Sequence, residues 1–249
     1  MLQQLSEPVR STMQALVSGL VVVLGTRLVG VYLGGSVTTE DFSDSSSDLD
    51  FLVVTDGELS LEDALGVSLL HRDLLKRYPY AARLEGDYAP LAWLCPEGTT
   101  APVPGCERGV FLPKVGEIML SAENVYNMRE QGIACYGPEP KAIFPPVAIE
   151  AVRTAVRPYL FEPGAPCDTA AEAADQLLDL LRSAAAIESG IPTTKVAGAR
   201  WARANLESRW QGVVEAALAV RAGTGTAEDE ALCLQVLPEL HRFLQTKYC

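Results

Sequence analysis

Two short apolar segments, the first of which ends in a glycine turn, most constrain how this chain can fold. The first, Leu28–Leu33 (LVGVYL), stops at Gly34-Gly35, and the second, Asp48–Thr55 (DLDFLVVT), has a valine-rich end. Their length and β-branched content are typical of strands that are buried in a sheet. A polar loop of Thr, Glu, Asp and Ser residues at 38–47 separates them. The pattern therefore predicts two strands of a sheet, with a glycine turn after the first.

The remaining patterns predict an α+β fold with two domains, 1–147 and 148–249. Helical periodicity covers Met1 to about Arg27 and Leu61 to Arg77, and an extended pattern returns over Ala82–Leu94. Beyond an irregular, proline-rich stretch at 138–146 the sequence becomes rich in Ala and Leu. The helices expected there are 148–156, 170–189, 194–210, 211–222 and 227–248. We therefore predict a sheet with helices, followed by an all-α helical-bundle domain.

Composition and charge limit the classes of partner. The 249 residues carry 32 acidic and 20 basic side chains, a formal net charge of −12. This charge argues against nucleic acid, whose phosphates are bound through clustered Lys and Arg, and it is compatible with a cationic small molecule. On charge alone, an acidic surface that keeps the protein soluble is the favoured interpretation. The aliphatic stretch Leu16–Leu24 is shorter than the roughly 20 residues that a membrane span needs, so we expect no membrane span.

Cysteine and histidine usage gives no sign of a metal centre or a disulfide framework. The six cysteines have no CxxC pairing and no metal-ligand spacing, and no signal peptide is recognised before them. His71 and His241 have no partner at ligand spacing, so we expect both to be structural. The pattern favours a cytoplasmic protein, which we expect to be a monomer.

Asp48 and Asp50 give the strongest indication of chemistry. Alternation along a strand places both carboxylates on one face, with Leu49 turned into the core. Two carboxylates this close repel each other unless a cation lies between them, and Mg²⁺ prefers carboxylate and phosphate oxygens. In the turn Gly34-Gly35-Ser36, the glycines allow close approach to a triphosphate, and the amides and the Ser36 hydroxyl can bind its oxygens.

This combination predicts metal-dependent transfer of a phosphoryl or nucleotidyl group. The alternative is a glycine turn and a solvated acidic loop that begin an ordinary strand.

The chain resembles the nucleotidyltransferase superfamily that includes DNA polymerase β, whose pattern is Gly-Ser followed at a distance by Asp-x-Asp. It is also similar, over nearly its whole length, to the aminoglycoside adenylyltransferases that modify streptomycin and spectinomycin. The segments that carry this likeness are YLGGS (32–36), SDLDFLV (47–53), RLE (83–85), YGPEP (136–140) and LLRSAAAIESGIPTTKVAGARWA (180–202). The resemblance implies a mixed sheet with a metal site, a helical carboxy-terminal domain and a substrate cleft between them.

The resemblance also implies roles for individual residues. Glu85 would be a third carboxylate that binds metal or acts as general base on the acceptor hydroxyl. Asp87 would share its face, and it stays open as an alternative third carboxylate and as a substrate-binding residue. Ser47 would add a hydroxyl contact to phosphate, and Arg182 and Lys195 would bind the triphosphate. For both acids the alternative is a solvated edge-strand residue, and for both cations it is a helix-surface charge.

Acceptor recognition depends on fewer residues. Glu172 falls where relatives place an acid that faces the drug's amines, but it could equally be a helix-opening acid stabilised by the helix dipole. Relatives acting on streptomycin have a Trp in the segment equivalent to 109–121, where this chain has Phe111 and no Trp. Arg221 stands where relatives place a Tyr against the nucleotide.

These features together predict Mg²⁺-dependent transfer of AMP from ATP to a hydroxyl of an aminoglycoside-type acceptor. Two alternatives remain open. One is the same chemistry on a metabolite or a protein side chain, and the other is a catalytically silent nucleotide-binding or partner-binding module.

Overall fold

The chain divides into two units, and each has hydrophobic core residues of its own. The computed structural model describes residues 5–39, 41–42, 47–99, 101–114, 120–162 and 166–249. The units are Met1–Ala148 and Ile149–Cys249, so the division lies next to the boundary predicted after residue 147. The start of the first predicted helix, residues 1–4, and parts of the loop at 38–47 lie outside the described residues. The α+β class, with a sheet followed by a helical bundle, is confirmed.

Six strands form one mixed sheet in the first unit, in the order β5-β4-β3-β2-β1-β6. The strands are β1 (Leu28–Leu33), β2 (Leu49–Thr55), β3 (Leu84–Pro90), β4 (Gly105–Glu107), β5 (Val110–Leu112) and β6 (Ile133–Tyr136). β2 and β3 are parallel, and the other neighbouring pairs are antiparallel. The strand predicted over 82–94 is shorter because a 3₁₀ turn precedes it at Pro79–Arg83 and another follows at Leu91–Trp93.

Helices cover both faces of this sheet. On one face, α1 (Glu7–Leu24) and α2 (Leu61–Arg77) pack against the inward side chains of the central strands, among them Phe51. Ser60 is the N-cap of α2, in a reciprocal capping box with Asp63. The opposite face, which includes Leu52, packs on α3 (Ala122–Gln131) and on residues beside the short α4 (Pro140–Ile143).

Helix α1 is long and apolar enough, by length and composition alone, to cross a membrane. Over Glu7–Arg27 its most apolar window has a mean hydropathy of 1.4, and 33% of that window is buried. Val9, Met13, Leu16 and Leu20 are fully buried in the core of the sheet unit, as in an amphipathic core helix. The expectation that the chain has no membrane span therefore stays a prediction.

The second unit is a bundle arranged around one central helix. Its helices are α5 (Ile149–Phe161), α6 (Ala170–Ser189), α7 (Lys195–Asn205), α8 (Gln211–Arg221) and α9 (Ala227–Tyr248). α6 packs against each of the other four. Gly198 of α7 lies against the backbone of Arg182, where a Cβ atom would clash, so the missing side chain permits close packing of α7 on α6. The helix predicted over 194–210 ends at Asn205, because the chain is extended at Leu206 before a 3₁₀ turn.

Candidate active site

The glycine turn after β1 is packed directly on Asp50. Because β1 and β2 are antiparallel, the end of β1 adjoins the start of β2, and the Gly34 N–H donates to the Asp50 carbonyl at 2.9 Å. Gly35 has a left-handed φ of +62°, and a Cβ atom there would clash with Oδ2 of Asp50. Only glycine therefore meets both the backbone and the steric requirement at this position.

Parallel pairing of β2 and β3 brings Glu85 of β3 to the same edge of the sheet as Asp50 of β2. Asp50 and Glu85 are register partners on the two strands, so both side chains lie on the same face. Asp48 lies just before β2 and is exposed. Burial raises the pKa of Glu85, and the negative charge of Asp48 raises it further. Asp48 is therefore within electrostatic reach of Glu85, and the three predicted carboxylates share one edge of the sheet.

Asp87 lies one pleat further into the sheet than Glu85. It pairs with Leu52 of β2 and Gly105 of β4, and it is only 3% exposed. The geometry therefore favours Glu85 over Asp87 as the carboxylate beside Asp50. Substrate binding by Asp87 stays a prediction, and in the structure it is a buried acid of β3.

The carboxylates do not form a tight metal cage. Among the described residues, no three His, Cys, Asp or Glu side chains are grouped closely enough to hold a metal ion. The carboxylate oxygens of Asp48, Asp50 and Glu85 are nevertheless the ligands that Mg²⁺ prefers, and the missing side chain of Gly35 makes room for the carboxylate of Asp50. These residues fit magnesium, whose binding stays a prediction.

The two predicted phosphate-contacting serines flank this edge. Ser36 lies in the 3₁₀ turn Gly35–Thr38, where its carbonyl oxygen accepts hydrogen bonds from the N–H and hydroxyl of Thr39, both at 3.0 Å. Its hydroxyl makes no hydrogen bond to any described residue, so it can bind a ligand. Ser47 is buried, immediately before Asp48.

Arg108 also lies at this edge, and the sequence analysis missed it. It is in the turn of the β4–β5 hairpin with φ +48°, followed by Gly109 at φ +77°, and two positive φ values in succession are typical of a type I′ turn. The Gly109 N–H donates to the Leu84 carbonyl at 2.9 Å, which fixes the turn beside the start of β3. The positive charge of Arg108 opposes the rise in the pKa of Glu85. The Arg-Gly pair before the apolar segment Val110–Leu112 is a sequence signal for the turn, but it does not show which strand the turn lies beside.

A buried polar network supports the strand that carries Glu85. His71 Nε2 lies 2.6 Å from the Tyr88 hydroxyl, and Cys106 Sγ lies 3.5 Å from His71 Nδ1. Burial lowers the pKa of His71 to about 4. His71 is thus a neutral core histidine, in agreement with the structural role expected for it. Phe111 stacks on His71 in the same cluster, so it is an aromatic residue of the core.

In the second unit, the structure gathers the predicted phosphate-binding cations. Arg182 is on α6 and Lys195 is the first residue of α7, and both form ion pairs with Asp179 of α6. Lys195 and Arg221, the last residue of α8, both pair with Asp175. Binding of a triphosphate by Arg182 and Lys195 stays a prediction.

Glu172 belongs to the capping box that begins α6. Its Oε2 accepts hydrogen bonds from the N–H groups of Asp168 and Thr169, both at 2.9 Å, and its own N–H donates to Thr169 Oγ1. The backbone hydrogen bonds from Asp168 and Thr169 lower the pKa of Glu172. Of the two interpretations of this acid, the geometry supports the helix-opening one. A contact with an acceptor's amines stays a prediction.

The first unit is thus a mixed sheet with a glycine turn and acids at one edge, and the second unit is a helical bundle. Among solved structures, the chain is similar to spectinomycin adenyltransferase AAD(9) from Enterococcus faecialis, determined with ATP and spectinomycin. The TM-score is 0.71 at 16% sequence identity, over 94% of this chain and 98% of that one. Neither models of known protein families nor curated protein sequences gave a match. The adenylyltransferase-like fold implied by the resemblance is therefore confirmed.

Proposed function

We propose that the chain is a Mg²⁺-dependent nucleotidyltransferase that moves AMP from ATP to a hydroxyl of an aminoglycoside-type acceptor. The observation that carries the proposal is the arrangement at the sheet edge, where the turn at Gly35 packs on Asp50 and Asp50 pairs in register with Glu85. The fold shared with a spectinomycin adenyltransferase that was solved with ATP and spectinomycin supports the same chemistry.

In this reaction the acceptor hydroxyl oxygen attacks the α-phosphorus of ATP. A new P–O bond forms, the bond from the α-phosphorus to its bridging oxygen breaks, and pyrophosphate leaves. Glu85 takes the hydroxyl proton, and the pKa of its carboxyl, raised by burial and by Asp48, makes it a stronger base than an exposed glutamate. With Glu85 as the base, magnesium held by Asp48 and Asp50 would neutralise charge on the phosphates.

The other residues of the proposed site bind and orient the two substrates. The backbone of Gly35 and the hydroxyls of Ser36 and Ser47 contact phosphate oxygens. Arg182 and Lys195 neutralise the triphosphate. For the acceptor, Glu172 and Asp87 are the candidate partners of its amines, and a cationic acceptor suits a chain with a net charge of −12.

Substitution of Asp50 tests the transferase chemistry. We expect Asp50→Ala to lower acceptor-dependent pyrophosphate release by at least about a hundredfold, as expected for loss of a group that stabilises transition-state charge. Asp56→Ala is the matched control, because Asp56 is an exposed aspartate that directly follows the other end of β2. Equal release by wild type and Asp50→Ala, with both folded, would contradict the proposed site. No release with any acceptor would instead indicate a silent nucleotide-binding module.

A panel of acceptors tests the antibiotic part of the proposal separately. We expect spectinomycin or another aminoglycoside-type compound to raise the melting temperature when ATP and Mg²⁺ are present, because a ligand that binds only the folded state stabilises it. If no member of the panel does so while ATP and Mg²⁺ alone do, the acceptor is a different metabolite or a protein side chain.

A further inference from the structure

The second unit carries a cluster of three cations and two acids on one side of α6. Asp175 Oδ1 accepts hydrogen bonds from both Lys195 Nζ at 3.0 Å and Arg221 Nη1 at 2.5 Å. Asp179 binds Lys195 Nζ at 3.2 Å through Oδ2 and Arg182 Nε at 2.7 Å through Oδ1. Three positive and two negative charges leave one net positive charge here, on a chain whose overall charge is −12.

Most of the hydrogen-bonding capacity of Arg221 is unused. A guanidinium has five N–H donors, and within the described part of the chain Arg221 makes one hydrogen bond, through Nη1. Its side chain is 26% exposed, so a ligand can reach it. Lys195, which is 21% exposed, uses two of its three N–H donors on the described residues. These remaining donors suit a ligand with several anionic oxygens.

The position of Lys195 also points to an anion. It is the first residue of α7, where the helix dipole disfavours a cation. Asp175 and Asp179 offset this unfavourable placement, because their carboxylates bind the ammonium directly. A phosphate group at the same place is stabilised both by the helix start and by the nearby cations.

Lys195 and Arg221 share a single carboxylate oxygen of Asp175, and a polyanion can displace this carboxylate from both cations. Burial raises the pKa of Asp175, but Lys195 and Arg221 outweigh it and hold that pKa below its ordinary value, so the carboxylate is ionised and competes with other anions. A triphosphate offers more oxygens and more charge than one aspartate. It can therefore bind both cations at once.

We propose that Arg221 is a third triphosphate-binding cation, and that Asp175 holds Arg221 and Lys195 in position until the phosphates replace it. This inference rests on the proposed nucleotide chemistry, and it adds a residue and an exchange step to it. No bond beyond hydrogen bonds and ion pairs changes in this step.

Calorimetric titration of the full chain with ATP, ADP and AMP, in the presence of Mg²⁺ and without acceptor, tests the inference. We expect Arg221→Met to weaken ATP binding by on the order of tenfold, with a smaller effect on AMP, because lost charge-assisted hydrogen bonds to phosphate matter most for the longest polyphosphate. Arg221→Lys should restore part of the affinity. The matched control is Arg203→Met, which removes an arginine that links α7 to Glu215 of α8 outside the cluster.

Asp175→Asn distinguishes two roles of Asp175. In one the phosphates displace its carboxylate from the cations, and in the other the ion pair only joins α6 to α8. If Asp175 competes with the phosphates, Asp175→Asn should tighten ATP binding several-fold, opposite in sign to Arg221→Met. If the pair only joins α6 to α8, both variants should weaken binding together, and that result would overturn the inference. ATP binding that is equal in Arg221→Met and Arg203→Met would also overturn it and leave the proposed function intact. Failure of the wild type to bind ATP would reject the proposed function first.

Discussion

At the scale of single residues, two positions with positive φ border the candidate carboxylates. Gly35 adopts its conformation without a Cβ penalty, whereas Arg108 adopts φ +48° with a full side chain. For a residue other than glycine this conformation costs roughly 1 kcal/mol. The hydrogen bond from Gly109 to Leu84 holds the Arg108 turn in place. Both positions combine a backbone requirement with a place beside the acids.

Gly35→Ala should therefore lower activity, because the added side chain clashes with Asp50 and not only because it strains the backbone. Its new Cβ would clash with Asp50 Oδ2, so the carboxylate must move and we expect at least about a hundredfold loss in pyrophosphate release. Gly25→Ala is the matched control, because Gly25 has a similar φ of +54° with no atom within 4 Å of the added carbon. Both variants should lose stability in a denaturant titration. Equal activity in the two would show that space beside Asp50 is unimportant.

Arg108→Gly should make the protein more stable and change its pH profile. Glycine removes the strain at φ +48°, and we expect a gain of roughly 1 kcal/mol in the free energy of unfolding. The charge of Arg108 lowers the pKa of Glu85, so its loss raises that pKa. Since the base must be ionised, the acid limb of the rate profile should move to higher pH. Arg108→Lys should keep the acid limb near that of the wild type, and an unmoved acid limb in Arg108→Gly would contradict an electrostatic effect of Arg108 on Glu85.

At the scale of elements, the parallel pairing of β2 and β3 decides which acids meet. It sets Asp50 opposite Glu85 and puts Asp87 opposite Leu52, one pleat further in. Behind β3, the bond between His71 of α2 and Tyr88 ties the helix to the strand, and Cys106 extends the network to β4. Because His71 is buried among these partners, its protonation is coupled to the packing of α2 on the sheet.

Stability should accordingly fall when the pH is lowered from about 6.5 to about 4. Burial lowers the pKa of His71 from 6.5 to about 4, so between these values the unfolded chain binds a proton there and the folded chain does not. The full effect of this one group, reached below pH 4, is on the order of 3 kcal/mol. Urea unfolding across this range measures it. His71→Gln, which does not titrate, should show a shallower decline, and an equal decline would remove His71 as the cause.

At the scale of the whole molecule, the excess of acidic residues predicts that salt weakens the binding of a cationic acceptor. With a net charge of −12, the chain attracts a cationic acceptor over a distance that dissolved salt shortens. We expect the dissociation constant of a cationic aminoglycoside to rise between low and high NaCl, measured by calorimetry with ATP and Mg²⁺ present. An affinity independent of salt would show that charge plays no part in selecting the acceptor.

The sequence by itself determined the elements with strong local patterns. Leu28–Leu33 and Asp48–Thr55 carry the apolar, β-branched signal of buried strands, and the Ala- and Leu-rich periodicity after residue 148 predicts a helical second half. The glycine turn and the Asp-x-Asp pair were likewise readable, because each depends on only a few adjacent residues. These local features predicted the fold class, which the structure confirms.

Only the tertiary structure decided the contacts between residues far apart in the chain. The β4–β5 hairpin and β6 are three or four residues long, too short for a periodic signal, so Arg108 could not be placed beside Glu85 beforehand. The choice of Glu85 over Asp87 depends on the register of two parallel strands, and the pairing of Arg221 with Asp175 depends on the packing of α8 against α6. Register and helix packing are set by the fit of whole surfaces, and no local sequence window contains that information.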